Sequence, residues 1–293
     1  PLWLIDLWMG EFGRDKTEDL CAWFNQQPKL TARINTILID IPQCLTLLKE
    51  QGWDVSQDSN YKDIIYINSH RGSLEKSDAV IKGYITFMDK ASMLVARLVN
   101  PQPGERVLDC CAAPGGKSMY MAALMDNTGS LMSCDIHEHK IALMESNAQR
   151  LGISIVQTKV QDATELPSAW KSYFDRVLVD VPCSGLGILQ KKLDMRWRKD
   201  ESTLSELPPL QLAILERAAM TVKEKGYLVY STCTLNYKEN EDVVEAFLQK
   251  HKEFSIVPVG ADFPLKSNNG MITTYPPTDD MDGFFMVKMQ RIS

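Results

Sequence analysis

No two of the seven cysteines, at positions 21, 44, 110, 111, 134, 183 and 233, stand in a C-x-x-C pair. The odd count and the spacing argue against a zinc ribbon and a disulfide framework. They argue for reduced thiols in a cytoplasmic protein that holds no metal. No apolar run approaches the ~18 residues of a membrane span, so no membrane partner is expected. The opening Pro1-Leu2-Trp3-Leu4-Ile5-Asp6 lacks a basic leader and is not a signal peptide. It also lacks Met, which points to a fragment or a processed product. Basic residues are outnumbered, 32 against 38 acidic, for a net charge of −6. That balance argues against a protein that coats nucleic acid nonspecifically, while leaving room for a local basic groove. Repeats and low-complexity segments are absent. What is present is ordinary globular composition, 44% hydrophobic and 24% charged over 293 residues. That suffices for about two domains with cores of their own.

From residue 93 onward the pattern alternates strand and helix. Strands are predicted over 106–109, 130–134, 155–160, 177–181, 227–230 and 284–289, and helices over 117–125, 138–151, 210–222 and 242–250. Such alternation predicts an α/β domain, a mostly parallel sheet with helices on both faces. Residues 1–92 differ. They predict a helix over 17–25, a strand-like run over 32–39, and strands over 64–67 and 84–87. Asp40 caps a further helix with Pro42 in its first turn, closing near Gly52. This reads as a small α+β domain, with the polar stretch 51–60 as an exposed loop.

The first strand of the second domain runs into Asp109-Cys110-Cys111-Ala112-Ala113-Pro114-Gly115-Gly116-Lys117-Ser118, and a helix follows. Gly115 and Gly116 let the backbone pass close to a ligand, and the helix N-terminus offers free N–H groups. Neither a full Walker loop nor a full G-x-G-x-x-G is present. Asp135 ends the second strand, at the spacing of a carboxylate that holds ribose hydroxyls. Asp162 follows the third strand and can reach an adenine amino group. Together these residues predict a nucleoside-cofactor site.

Two thiols close the constellation. Cys183 lies in Asp180-Val181-Pro182-Cys183-Ser184-Gly185 and Cys233 in Ser231-Thr232-Cys233-Thr234, each just past a strand end. Enzymes of this architecture keep their chemistry at such ends. A free thiol has a pKa of about 8.5, so a cation is needed to enrich the thiolate at neutral pH, and Lys117 is the candidate. Asp180 is placed to steady charge on a substrate ring. The residues alone do not say which cysteine attacks. For Cys21, Cys44, Cys110 and Cys134 the reading is that of small buried apolar residues.

These motifs resemble those of the RsmB/NSUN family, S-adenosylmethionine-dependent RNA cytosine-C5 methyltransferases. The resemblance is carried by Asp109-x-Cys111-Ala112-Ala113-Pro114-Gly115-Gly116-Lys117, by the Pro-Cys and Thr-Cys motifs, and by Glu239-Asn240-Glu241. It extends to Asp282-Gly283-Phe284-Phe285, to Pro1-x-Trp3 and to Arg33-x-Asn35. Among branches the chain is most similar to the bacterial Sun/RsmB type, which acts on 16S ribosomal RNA and carries an extra helical domain in front. The resemblance implies a Rossmann-like methyltransferase domain over 93–293 with a seven-stranded sheet, preceded by an RNA-binding subdomain over 1–92. It implies S-adenosylmethionine held by Cys111 to Ser118, with Asp135, Asp162 and Asp180. It implies Cys233 as nucleophile toward cytosine C6, Cys183 for product release, and a monomer. Met88-Asp89 stands where the family often has Gln-Asp, which puts any role of that Gln in doubt.

A target base must leave its stack, which favours looped or single-stranded RNA. Lys191, Lys192, Arg196, Trp197 and Arg198 follow the Pro-Cys motif and offer phosphate contacts and a stacking ring. Arg33 and Asn35 form the second candidate RNA patch. The first expected substrate is 16S rRNA. A tRNA substrate, or a non-catalytic RNA-binding ribosome assembly factor on the same scaffold, remains open.

Overall fold

The computed structural model describes residues 1–198 and 201–292, Arg198 by its backbone alone. Four strands of the N-terminal region, β1 (Leu30–Ile34), β2 (Asp54–Gln57), β3 (Ile64–Ser69) and β4 (Ile85–Phe87), form an antiparallel sheet in the order β2-β3-β1-β4. Helix Ile41–Glu50 begins where its cap predicts: Asp40 accepts the Gln43 N–H at 2.9 Å, and Pro42 sits in the first turn. The helix and sheet enclose a small core around Ile34, Leu48, Ile65 and Ile85.

The second sheet contains β5 (Arg106–Asp109), β6 (Ser130–Asp135), β7 (Val156–Val160), β8 (Phe174–Asp180), β9 (Val222–Thr232), β10 (Phe254–Ile256), β11 (Met271–Thr273) and β12 (Phe285–Arg291). Seven strands form one path, β10-β12-β9-β8-β5-β6-β7, and β11 adds an eighth on β12; β10 and β11 were not among the strands predicted by residue. Pairings from β7 through β9 are parallel; β12 runs antiparallel to β9. The chain moves outward from β5 to β7, then returns to β8 beside β5. That reversal opens a crevice at the carboxyl ends of β5 and β8, where ligands bind in such sheets. Apolar layers cover both faces, one centred on Leu94, Met121 and Leu178, the other on Val179, Leu215 and Phe247.

Three sequence expectations change. The polar stretch 51–60 is not all loop, because β2 pairs with β3 along it; an edge strand takes its order from its neighbour's hydrogen bonds, not from its own side chains. The expected boundary at 92/93 falls inside helix Lys90–Val99, whose Ala91, Leu94, Val95 and Leu98 pack in the second domain's core. Helices Leu2–Phe12 and Arg14–Phe24 do not join the first sheet: Leu4, Trp8, Leu20 and Phe24 pack with Leu186, Leu189, Leu204 and Leu235, beneath the two cysteine loops. Among the described residues, no helix is long and apolar enough to cross a membrane.

The first helix carries a pH-dependent contact. Glu11 accepts the Tyr237 N–H at 3.0 Å. Burial pushes Glu11 up to about 7; the Tyr237 bond opposes this, and the charges of Glu241, Asp242 and Glu239 reinforce it. A carboxyl raised on folding binds its proton more tightly in the folded state. Its contribution to stability therefore falls as pH rises from 4.5 to about 7, then stays low. Glu11→Gln keeps the acceptor and removes the charge. It should melt higher than the parent at pH 8, by about 1 kcal/mol after allowance for partial exposure, and equal to it at pH 4. An identical offset at both pH values in thermal melts would contradict this.

Candidate active site

A cavity of about 430 Å³ lies at the reversal point, lined by Cys111, Asp135, Asp162, Asp180, Cys183 and Cys233 among others. Its floor is the β5 loop. Gly115 adopts φ +101°, and a side chain there would lie 3.0 Å from Met144 Cγ, so the turn into helix Gly116–Leu124 requires glycine. Beneath the loop, Ser118 Oγ donates to Asp109 Oδ2 at 2.7 Å and accepts from Ser133 Oγ at 2.8 Å. Burial pushes Asp109 up to about 7. Ser118 is itself wholly buried. Expected at the cofactor, it instead braces the loop from inside, because the first helical turn rotates it toward β5 and β6. Pro114 is exposed, and Ala113 lines the cavity. Met88 packs over Gly116, where a Cβ would stand 3.7 Å from the Met88 sulfur.

The two acidic strand ends share a design. Asp135 Oδ1 accepts the His137 N–H at 2.9 Å, and Asp162 Oδ1 accepts from Thr164 N at 2.8 Å and Thr164 Oγ1 at 2.7 Å. The Thr164 bonds hold Asp162 below the usual carboxylate range. One oxygen of each side chain braces its own loop. The other takes no hydrogen bond within the protein among the described residues, and both residues line the cavity. With half-exposed Ile136 beside them, they fit a purine nucleoside: a carboxylate for a diol, a second for an amine, an apolar face for the ring.

On the β8 side, Asp180 is held by Lys117 Nζ at 2.7 Å and by Ser231 Oγ at 2.6 Å. Burial disfavours the Lys117 ammonium, but Asp180, Cys233 and Asp109 outweigh it and raise the group above its ordinary value. The parallel register places Asp180 opposite Ser231. The loops that leave those two residues therefore run side by side, and Cys183 and Cys233, 50 residues apart, meet with sulfurs at 3.1 Å. The Cys183 thiol is raised well above its ordinary value, first by the hydrogen bond with Cys233, then by burial and by the charges of Cys233 and Glu239. The Cys183 thiol thus keeps its proton, and Lys117 lies within electrostatic reach of Cys233. Burial raises the thiols of Cys44, Cys110 and Cys134 as well, the first to about 11 and the last to about 12.

The basic segment after Cys183 is less free than its composition implies. Lys191 pairs with Asp89 and, at 2.8 Å, with Asp282. Gln190 donates to Trp23 O at 3.0 Å, and Arg196 to Asn25 Oδ1 at 3.0 Å and to Phe24 O. The segment is stapled to the end of helix Arg14–Phe24. Lys192 lines the cavity, and Trp197 is 77% exposed. The Arg198 side chain lies outside what is described. Arg33 and Asn35, expected on an RNA-facing patch, are wholly buried. Arg33 lies over the Tyr120 ring at 5.2 Å, and Asn35 donates to Gly83 O at 3.0 Å and Leu151 O at 2.9 Å. Both side chains point into the contact between the two sheets' domains, which no single strand's pattern reveals. Conversely, Gln211 carries no motif signal, yet it is buried directly behind Cys183.

A mostly parallel sheet with a glycine turn after its first strand and acids at the next two strand ends defines the class: an S-adenosylmethionine-dependent methyltransferase of Rossmann-like fold. Residues 96–290 match the family model of the 16S rRNA methyltransferase RsmB/F, and residues 1–72 match the RsmF/B-like ferredoxin-like domain. The chain belongs to the RsmB/F methyltransferase family. The probable ribosomal RNA small subunit methyltransferase B of Bacillus subtilis (strain 168) is 36% identical over 297 residues, 99% of this chain and 66% of that protein. The human 28S rRNA (cytosine(4447)-C(5))-methyltransferase is 35% identical over 229 residues, 73% of this chain and 28% of that protein. The crystal structure of PH0851 superimposes with a TM-score of 0.93 at 32% identity, covering 99% of this chain and 65% of that one. The chain thus spans just under two thirds of the length of the bacterial relatives it matches.

Proposed function

We propose that this chain methylates C5 of a cytosine in 16S ribosomal RNA through a covalent bond between Cys233 and C6 of the base. The observation that carries this reading is the meeting of two thiols at the cavity wall, one of them beside the Lys117–Asp180 pair. Bound S-adenosylmethionine would supply a sulfonium methyl group. Asp135 and Asp162 are suited to its ribose and adenine, and the backbone from Cys111 to Gly116 to its amino-acid end.

The chain's own chemistry follows. Lys117 stabilises the Cys233 thiolate, which adds to C6 and makes C5 electron-rich. Asp180, exposed to the cavity, accepts from the exocyclic amine and fixes the ring. C5 takes the methyl group, and the S–CH₃ electrons stay with the departing sulfur. The C5 proton then leaves to water in the open cavity as the Cys233–C6 bond breaks. Cys183, 3.1 Å away, keeps its proton and donates a hydrogen bond to the departing Cys233 sulfur, which leaves as the thiolate that began the cycle. Among the described side chains of the basic segment, we assign RNA contact to Lys192, which lines the cavity, and to exposed Trp197. We assign RNA docking also to the region 1–92, without Arg33 or Asn35 as contacts.

The direct test is methyl transfer from labelled S-adenosylmethionine to 16S and tRNA transcripts, with nucleoside analysis of the product. Label in 5-methylcytidine from the 16S transcript is expected. Label at a cytosine amine, or none, would overturn the reaction; label in tRNA alone would overturn the substrate. Calorimetry tests the cofactor assignment. Asp135→Ala should weaken S-adenosylmethionine binding about ten- to a hundredfold, the worth of a charge-assisted hydrogen bond. Unchanged affinity would remove Asp135 from the site.

A further inference from the structure

The peptide groups on both sides of Cys183 end on one buried pair of side chains. Gln211 Nε2 donates to Pro182 O at 3.0 Å, just before Cys183. The Ser184 N–H, just after it, donates to Glu239 Oε2 at 2.9 Å. Gln211 Nε2 also donates to that oxygen, at 2.9 Å. The other oxygen, Oε1, accepts from Asn236 Nδ2 at 2.9 Å and from Ser184 Oγ, which in turn accepts from Thr234 Oγ1 at 2.7 Å. Glu239 is wholly buried, and every group that converges on it is a donor, none of them a cation. Such a pocket fits a carboxylate and nothing else of that shape.

The adjacent residue treats Cys233 in the same way. Asn240 Oδ1 accepts from Thr232 Oγ1 at 2.6 Å, and Asn240 Nδ2 donates to Thr234 O at 3.0 Å. Thr232 and Thr234 flank Cys233. Tyr230 on β9 donates to Glu239 O at 2.6 Å and ties the dipeptide to the sheet. Two residues joined by one peptide bond therefore hold the two cysteine loops.

We propose that Glu239-Asn240 is a positioning bracket: it sets the separation of the two thiols and makes them chemically unequal. Its purpose rests on the covalent reaction proposed above, whereas its geometry does not. Neither residue touches the cavity; both act through the cysteines. The Glu239 carboxylate works against ionisation of Cys183 through space, and the fixed turn keeps the Cys183 sulfur beside Cys233.

Thiol alkylation of the full chain, without RNA, tests this. Iodoacetamide rates at each cysteine are followed by mass spectrometry across pH. In the parent, Cys233 should react at least about tenfold faster than Cys183 near neutral pH, since rate follows the thiolate fraction and one pKa unit is a factor of ten. In Glu239→Gln, isosteric but with an NH₂ group facing donors, that ratio should fall about tenfold, with the Cys183 profile moving to lower pH. Gln211→Met keeps the Glu239 charge but frees the Pro182 carbonyl; it should lower the ratio by loosening the Cys183 turn, without moving the Cys183 profile to lower pH, and decides the matter if Glu239→Gln does not fold. A parent ratio near one, or an unchanged ratio in the folded variant, would overturn the bracket. A shifted ratio in a chain that methylates no RNA would leave the bracket standing and overturn the reaction assigned to it.

Discussion

Cys183→Ala is expected to leave the protein covalently attached to its RNA. With S-adenosylmethionine and substrate present, a slow-migrating band should survive a denaturing gel. The reason lies in the geometry: Cys183 Sγ is 3.1 Å from Cys233 Sγ, holds the proton of the pair and accepts the Cys233 N–H at 3.3 Å. Without it the adduct can form, but the departing sulfur has no hydrogen-bond donor at that distance. Cys233→Ser should abolish both the adduct and turnover, the latter by at least about 10³-fold, since a serine hydroxyl beside Lys117 is not ionised at neutral pH. An adduct that persisted in the Cys233 variant would transfer the nucleophilic role to Cys183.

The largest expected effect on stability belongs to Asp63. Arg97 Nη2 donates to Asp63 Oδ1 at 2.5 Å and Tyr120 OH donates to Oδ2 at 2.7 Å. Arg97 Nε donates to the same Tyr120 oxygen at 2.7 Å, and its guanidinium stacks on Tyr61 at 4.0 Å. Arg33 also lies over the Tyr120 ring, and its three buried nitrogens donate no hydrogen bond among the described residues. Burial pulls Arg33 down to about 10, while Tyr120 and Asp63 support its charge. Asp63→Ala would leave two guanidinium groups at a domain contact without their shared carboxylate. Breaking a buried pair from one side costs about 3–5 kcal/mol. Urea unfolding should show that loss, with the first sheet becoming sensitive to protease before the second. A loss below about 1 kcal/mol would mean that water already serves these groups.

Much of the catalytic sheet was legible because buried parallel strands read as short apolar runs between helices with a polar face. Helix Ile41–Glu50 was legible from its cap and proline. Helix Lys90–Val99 was not, although Asp89 caps it and its charged residues gather on one side; which core its apolar side joins is set by packing between distant segments. The first helix escaped because it is apolar nearly throughout and reads only as a short apolar start. At the site, the acids at strand ends and the glycine turn were legible by type and spacing. Ser118 was assigned to the cofactor and faces inward, since each residue of a helix turns the side chain by about 100° and the start of the helix alone does not say which side meets the ligand.

What the sequence determined by itself is local. It set the order of strands and helices, the glycine demanded at 115, the acids that end β6 and β8, and the placing of each cysteine just beyond a strand. The tertiary structure alone decided which of these groups meet. The parallel register of β8 on β9 brings residues 50 apart to 3.1 Å. A buried carboxylate behind the Pro-Cys turn distinguishes two thiols of identical type. The packing of one domain on the other turns Arg33 inward, and ion pairs staple Lys191 down. Hydrogen-bond register, burial and charge pairing are properties of pairs of residues far apart in the chain, and no window of sequence contains both partners.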